Sequence, residues 1–379
     1  MKFLKGFQRI NRNSLVSFRA RSAGFWKNFL TVVIAASAMG AGLLQAQPGA
    51  FLPGPFAVVS TVPSNGDQNP YGVTFVPGNF LTGTGSLKHG DILVSNFNNN
   101  QNLQGTGSTI VRISANGQQT LFFQGKPGIG LSTALGTLQR GYIVVGNAPS
   151  VDGTAATAGP GSLLVINSQG KLVQTITDPN IQSPWDMALV DQGATAIAFV
   201  TNALTGDVSR LEFQVHDNGL KLTSSKVIAS GYVHHGDPVT FFVAPTGLVY
   251  DSASGNLYVA STGDNAVFVI HNAANVSSNQ GTGSIVYEDN VHLHGALGLA
   301  EAPNGHLLVT NNDGINVDPT QPSEIVEFTK QGEFVKQLSV DPALGGSFGL
   351  AVYPTGDVAT FAAVDDNTAS LIIWTLNLN

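Results

Sequence analysis

Residues His294 to Asp313, HGALGLAEAPNGHLLVTNND, carry the pattern from which the rest of the chain can be read. A turn of small residues ends at Gly298, an apolar run covers Leu299 to Ala302, and after Pro303-Asn304-Gly305 a second run, His306 to Thr310, stops at Asn311. Two β-prone runs around a Pro-Asn-Gly turn predict a β-hairpin, since the turn residues make the bend and the runs pair across it.

The pattern recurs when each copy is aligned on the residue opening its first run. The copies are NPYGVTF at Gly72, GIGLSTA at Gly130, SPWDMAL at Asp186, PTGLVY at Gly247, ALGLAE at Gly298 and SFGLAV at Gly349, spaced by 58, 56, 61, 51 and 51 residues. Second runs close on Asn96, Asn147, Asn202, Ser261, Asn311 and, after a short extension, Asn367. A third run follows a variable loop, as in SLLVIN and AVFVIH, and a fourth often follows a Gly turn such as Asn116-Gly117, Gln169-Gly170 or Gln331-Gly332. Four short strands repeated every 50 to 60 residues predict an all-β fold, a six-bladed β-propeller of four-stranded antiparallel blades. The sixth copy lacks a fourth strand. The orphan run Phe56 to Val62, FAVVSTV, is expected to supply it, so that an N-terminal strand joins the C-terminal blade and closes the ring.

Composition agrees with many short strands and turns. Charged residues are 11% of the 379, against roughly 25% in an ordinary domain, while the hydrophobic fraction of 42% suffices for a core and argues against disorder. The first 46 residues hold seven bases, among them Lys2, Arg9 and Lys27, and no acid, so the remainder is strongly acidic and nucleic acid is excluded as a partner. Cysteine is absent, which excludes disulfides, thiolate metal sites and cysteine nucleophiles.

Phe29 to Leu44, FLTVVIAASAMGAGLL, is a 16-residue apolar run behind the basic segment. It is shorter than the roughly 20 residues of a membrane span and has the order of a signal peptide. Residues 1–46 are therefore expected to be a leader of the Sec type, cleaved after Ala46, leaving 47–379 as one propeller domain that is secreted or periplasmic, monomeric and without a stable membrane anchor. An uncleaved N-terminal anchor is the alternative.

At Asn256 to Ile270, NLYVASTGDNAVFVI, the chain resembles the NHL-repeat family, with a strand, an Asp/Asn turn and a third strand. The resemblance implies a six-bladed propeller. Related propellers include protein-binding and RNA-binding scaffolds, SMP-30-type lactonases and streptogramin lyases, so function has to be argued from the site. The SMP-30 lactonases hold a metal with carboxylate and Asn ligands over the channel. Here the first blade opens Asn69-Pro70-Tyr71-Gly72, with no acid where that family places a Glu.

In a propeller, loops before strand one and after strand two share a face. That face is expected to gather Asn96, Asn147, Asn202 and Asn311 from second-strand ends, Asp264 and Asp313 beside them, His234, His235 and Asp237 from the insertion before Gly247, and His292 and His294 from the turn before Gly298. These are the candidate ligand-binding residues, with His235, His294, Asp264 and Asp313 as candidate ligands of a divalent cation, Ca or Mg. The competing reading is that the Asn and Asp residues cap strand ends by bonding to turn backbone. Gly345-Gly346-Ser347-Phe348-Gly349 matches the G-x-S-x-G pattern but leads into a first strand rather than a strand-to-helix elbow, and so is set aside as a nucleophile. The long loops after Asn96, Asn147 and Asn311 give the face a polar rim suited to protein or glycan, with Phe97 and Trp185 expected to offer stacking. Two functions follow from the residues: a non-catalytic exported propeller binding a protein, polysaccharide or small ligand through this face, or a metal-assisted hydrolase or lyase, lactonase-like or streptogramin-lyase-like, using its His, Asp and Asn side chains.

Overall fold

A computed structural model describes residues 49–52 and 56–378; the leader expected at 1–46 lies outside the described residues. Six four-stranded antiparallel sheets form a β-propeller. Blade one is built from Gln68–Phe75, Ile92–Asn98, Thr109–Ile113 and Gln119–Gln124. Blades two to five follow within residues 131–176, 184–230, 245–287 and 296–339. Blade six takes three strands from 347–377 and its outermost strand, Phe56–Ser60, from the other end of the chain. Phe56 faces Trp374 and Ser60 faces Ser370, the closure expected from the orphan run. Glu327, fully buried in blade five, holds the segment just before that strand by accepting the N–H groups of Phe51 and Leu52 at 2.8 and 3.2 Å.

Blades adhere through apolar side chains that alternate off each sheet. Between blades two and three, Val144, Val165 and Leu163 pack on Ala198, Val200 and Leu211, and a comparable cluster fills every other junction. Each buried aliphatic or aromatic residue contributes about 1.5–3 kcal/mol, which lets a cysteine-free chain hold together by packing.

Near the axis the inner strands come too close for side chains. A Cβ at Gly349 would lie 1.8 Å from the Tyr71 carbonyl oxygen of the next blade, and one at Gly298 would lie 2.5 Å from that of Phe348, so glycine is what the approach permits. Hydroxyls stitch the same contact at five junctions: Ser95, Ser132, Thr201, Thr246 and Thr310 each donate to a carbonyl on the first strand of the following blade. In blade two the alignment on Gly130 is corrected. Register places Leu131 opposite Asn147 and Leu135 opposite Val145, so Thr133 and Ala134 occupy the axial position and Gly130 lies in the preceding turn. An extra residue in that strand's bulge displaces the sequence match.

Candidate functional site

Strand order puts the turns between blades and the loops after second strands on one face, as expected. The four asparagines there share one task. Asn96 donates to the Thr61 carbonyl, Asn147 to Ile129, Asn202 to Asn180 and Asn311 to His292, at 2.8–3.1 Å, each tying its second-strand end to the segment that enters the same blade. Asn202 and Asn311 also accept, from Gln182 N–H and His294 N–H, which makes the bracket two-sided. The amides are engaged with backbone, the capping alternative. In blade six register assigns this position to Asp365, not to Asn367.

The histidines and acids are spread over the face. His234 and His235 are exposed on a hairpin, His235–Asp237 paired with Phe241–Val243, that is inserted before blade four. Asp237 accepts the N–H groups of Val239 and Thr240 at 2.8 Å; burial opposes its ionisation, but these bonds prevail and hold the carboxyl below its ordinary range. Asp264 accepts from Val233 N–H and the Ser261 hydroxyl. His292 bonds Asp289 and stacks on Phe334 with 3.7 Å between ring centres. His294 is buried, its Nδ1 2.6 Å from the Asn316 carbonyl, which makes Nδ1 the donor and leaves Nε2 without a partner. Asp313 receives Ser323 and Gly345 N–H on one oxygen, and burial raises its carboxyl above the ordinary range despite them. Among the described residues no group of three or more His, Asp or Glu is placed to hold a metal ion, so His235, His294, Asp264 and Asp313 do not converge on one centre.

What occupies the mouth of the channel is aromatic. Tyr71 and Phe348, each just before an axial glycine, stack at 4.5 Å, and Phe97 stacks on the other face of Tyr71 at 4.5 Å. Trp185 meets Tyr71 and Phe97 edge-on at 5.7 and 5.4 Å, and the inserted hairpin drives Phe241 and Phe242 against Phe97 and Trp185. All six rings are buried, and Phe97 and Trp185 are part of this plug rather than stacking platforms for a ligand. Phe241 holds a φ of 66°, a conformation that costs a bulky residue about 1–3 kcal/mol and persists because rings surround it. The hairpin reaches across the mouth: Gln104 of blade one donates to the Val239 carbonyl at 3.2 Å. Tyr71, Trp185 and Phe348 all precede the axial position, a signal visible in the aligned copies, whereas nothing local marks Phe241 and Phe242 as central.

Beneath the plug lies a cavity of about 120 Å³ lined by axial residues including Thr133, Asp186, Leu248 and Gly298. Asp186 stands where four other blades have glycine, and burial pushes its carboxyl up to about 7 against bonds from Leu248 and Met187 N–H. Two further acids at this end are displaced the same way. Burial, with the charge of Asp365, pushes Asp366 up to about 8, and burial, with the charge of Asp313, pushes Glu324 up to about 7. Asp366 receives the Asn69 amide, whose oxygen accepts from Asn98.

No protein-family model matches the chain, and no curated protein matches its sequence. Solved structures do match. A calcium-binding protein, regucalcin, from Agrobacterium tumefaciens str. C58 shares 12% identity over 84% of this chain and 94% of its own, with a TM-score of 0.50. A putative oxidoreductase (glucose dehydrogenase) from Thermus thermophilus shares 13% over 85% and 100%, with a TM-score of 0.50, and a further glucose dehydrogenase shares 12% over 85% and 100%, with a TM-score of 0.51. At this level of identity the likeness is one of fold, and the chain is a six-bladed β-propeller.

Proposed function

We propose that this chain is an exported, non-catalytic propeller that binds a protein through its loop-bearing face. The observation that carries the reading is the aromatic plug: with six rings filling the channel mouth, recognition falls to the loops above it rather than to a dry pocket around the axis. A glycan is the weaker choice, because the six rings gathered at the channel mouth are buried and pack on one another, so none of them is offered for stacking on a sugar. Kinship with NHL-type or SMP-30-like propellers, export through the residues 1–46 leader and cleavage after Ala46 belong to the same reading. Cross-linking of the mature chain in an envelope extract tests it, with Val239→Asp on the hairpin tip as control. Partners retained unchanged by that variant would count against the loop face, and an intact residue 1–46 segment by mass spectrometry would count against cleavage.

A second reading, a metal-assisted hydrolase or lyase, is favoured by one observation: His294 Nε2, Asp313 Oδ1 and Glu324 Oε1 are each buried without a partner, although the three are not grouped as a cation site. Metal analysis of the purified chain decides it. A stoichiometric divalent ion that is lost in His294→Ala would replace the binding reading with this one.

A further inference from the structure

The strongest features left unexplained are on the surface of the loop face. Seven large aliphatic side chains stand exposed there, led by Val151 at 87% and Val239 at 79% and including Val291 and Val317, whereas the turns of the opposite face expose Leu81 and Leu378 alone among the described residues. Charge is divided as unevenly. The loops of this face hold eight acids that are not fully buried against one lysine, Lys126, while the opposite turns hold three such acids and four bases.

Of these eight, Asp366 is raised to about 8 by burial and adds little charge at neutral pH. None of the eight pairs with lysine or arginine among the described residues; Asp289 alone has an ionic partner, His292. Asp152 accepts the Thr154 N–H and two threonine hydroxyls, and Asp318 accepts the Thr320 N–H and hydroxyl, bonds that hold both carboxyls below the ordinary range and therefore ionised at neutral pH. The valines are held too: Gln104 fixes the Val239 carbonyl, and Gln321 fixes that of Val291 at 3.1 Å. A face of fixed negative charges interleaved with fixed apolar tips loses little conformational entropy on docking and repels anionic lipid or acidic glycan.

We propose that the loop face is a docking surface for a cationic polypeptide segment that carries apolar side chains, its Lys or Arg residues meeting Asp152, Asp237, Asp289 and Asp318 and its apolar residues meeting Val151, Val239, Val291 and Val317. The assignment rests on the protein-binding reading above and adds the chemistry of the partner, chosen by charge complementarity.

The test uses the mature chain and three labelled synthetic peptides of equal length, alternating Lys–Val, Lys–Ser and Glu–Val, with fluorescence anisotropy at low and high salt. The expected result is saturable one-to-one binding of the Lys–Val peptide, weakened about tenfold or more by salt and by the combined Asp152→Asn and Asp318→Asn variant, and likewise by Val151→Ser with Val239→Ser. Asn preserves the turns, and Asp217→Asn on the opposite face should change nothing. Equal binding of Lys–Ser reduces the face to diffuse charge and overturns the proposal, as does preferred binding to vesicles of phosphatidylglycerol. Binding of Glu–Val that is lost in the valine variant overturns the cationic partner but keeps the loop-face reading. Binding of no peptide, or binding that maps only to the opposite face, overturns both.

Discussion

The two ends of the ring solve the same problem of charge in different ways. On the turn-bearing end, charges meet across blades: Arg140 pairs with Asp217, and Lys330 lies 2.8 Å from Asp251 and 2.5 Å from Glu301, joining blades four and five. On the loop-bearing end, Asp152, Asp237 and Asp318 are held by backbone N–H groups and hydroxyls, which satisfy their hydrogen bonds and leave their charge in place. A carboxylate bonded to a lysine is spent, whereas one bonded to an amide is still available to a partner. That contrast, more than any single residue, points to the loop end as the working one.

The largest effect should come from removing what both ends depend on. Deleting residues 47–62 strips blade six of its outer strand and Glu327 of the Phe51 and Leu52 N–H donors, and should abolish the cooperative thermal transition or lower Tm by at least about 10 °C. An unchanged Tm in calorimetry would break the closure scheme.

Next in size is an effect confined to one end. Phe242→Ala should cost about 3–5 kcal/mol in urea unfolding. Amide exchange should accelerate in the loops around the plug and stay unchanged in the turns at the other end. Phe241→Gly should cost less than Phe242→Ala, since it also relieves the positive φ, and the reverse order would show that the hairpin is not strained.

The ends also differ in how they respond to pH. Asp186, Glu324 and Asp366 have folded-state values raised to about 7, 7 and 8, so between the ordinary carboxyl range and those values the folded chain binds protons that the unfolded chain has released. Stability should therefore fall as pH rises from about 4.5 to about 8.5 and then level off, each of the three groups contributing at most about 1.4 kcal/mol for every pH unit crossed, and Asp186→Asn should flatten the slope. Asp251 at the other end has the opposite sign. Burial opposes its ionisation, but Lys330 and Ser254 hold its carboxyl down to about 2, so its contribution is present at neutral pH and lost as pH falls below about 4. Its pairing is partly exposed, and Lys330→Ala should cost no more than about 1 kcal/mol. A loss of 3 kcal/mol there would mean that the turn-bearing end is no mere scaffold.

Six blades and their closure were legible because each copy repeats the same local demand: two runs, an Asn bracket and a close axial approach. Gly298 and Asn311 do in the structure what the hairpin His294 to Asp313 suggests, one admitting the next blade's backbone and the other bracketing the entering segment. The site was less legible. Tyr71, Phe97, Trp185 and Phe348 lie in three blades, and Phe241 and Phe242 arrive from an insertion, so their meeting is a consequence of ring geometry that no window of sequence contains. Asn was ambiguous for a chemical reason, since one amide serves equally as a ligand or as a cap, and only the positions of the Thr61, Ile129 and Asn180 carbonyls decide which it is.

The strand Phe56–Ser60 has a kinetic meaning as well. It precedes every other strand of the propeller, yet its partner is the last strand, and Thr61 just beyond it bonds Ala369, 308 residues later. Closing a loop of that length costs about 5 kcal/mol of chain entropy before the contact repays any of it. Pairing at so great a separation is the slowest kind. The ring therefore latches only after the whole chain is present, and a circular permutant that carries Phe56–Ser60 behind Asn377 should reach the same packing faster than the natural order does.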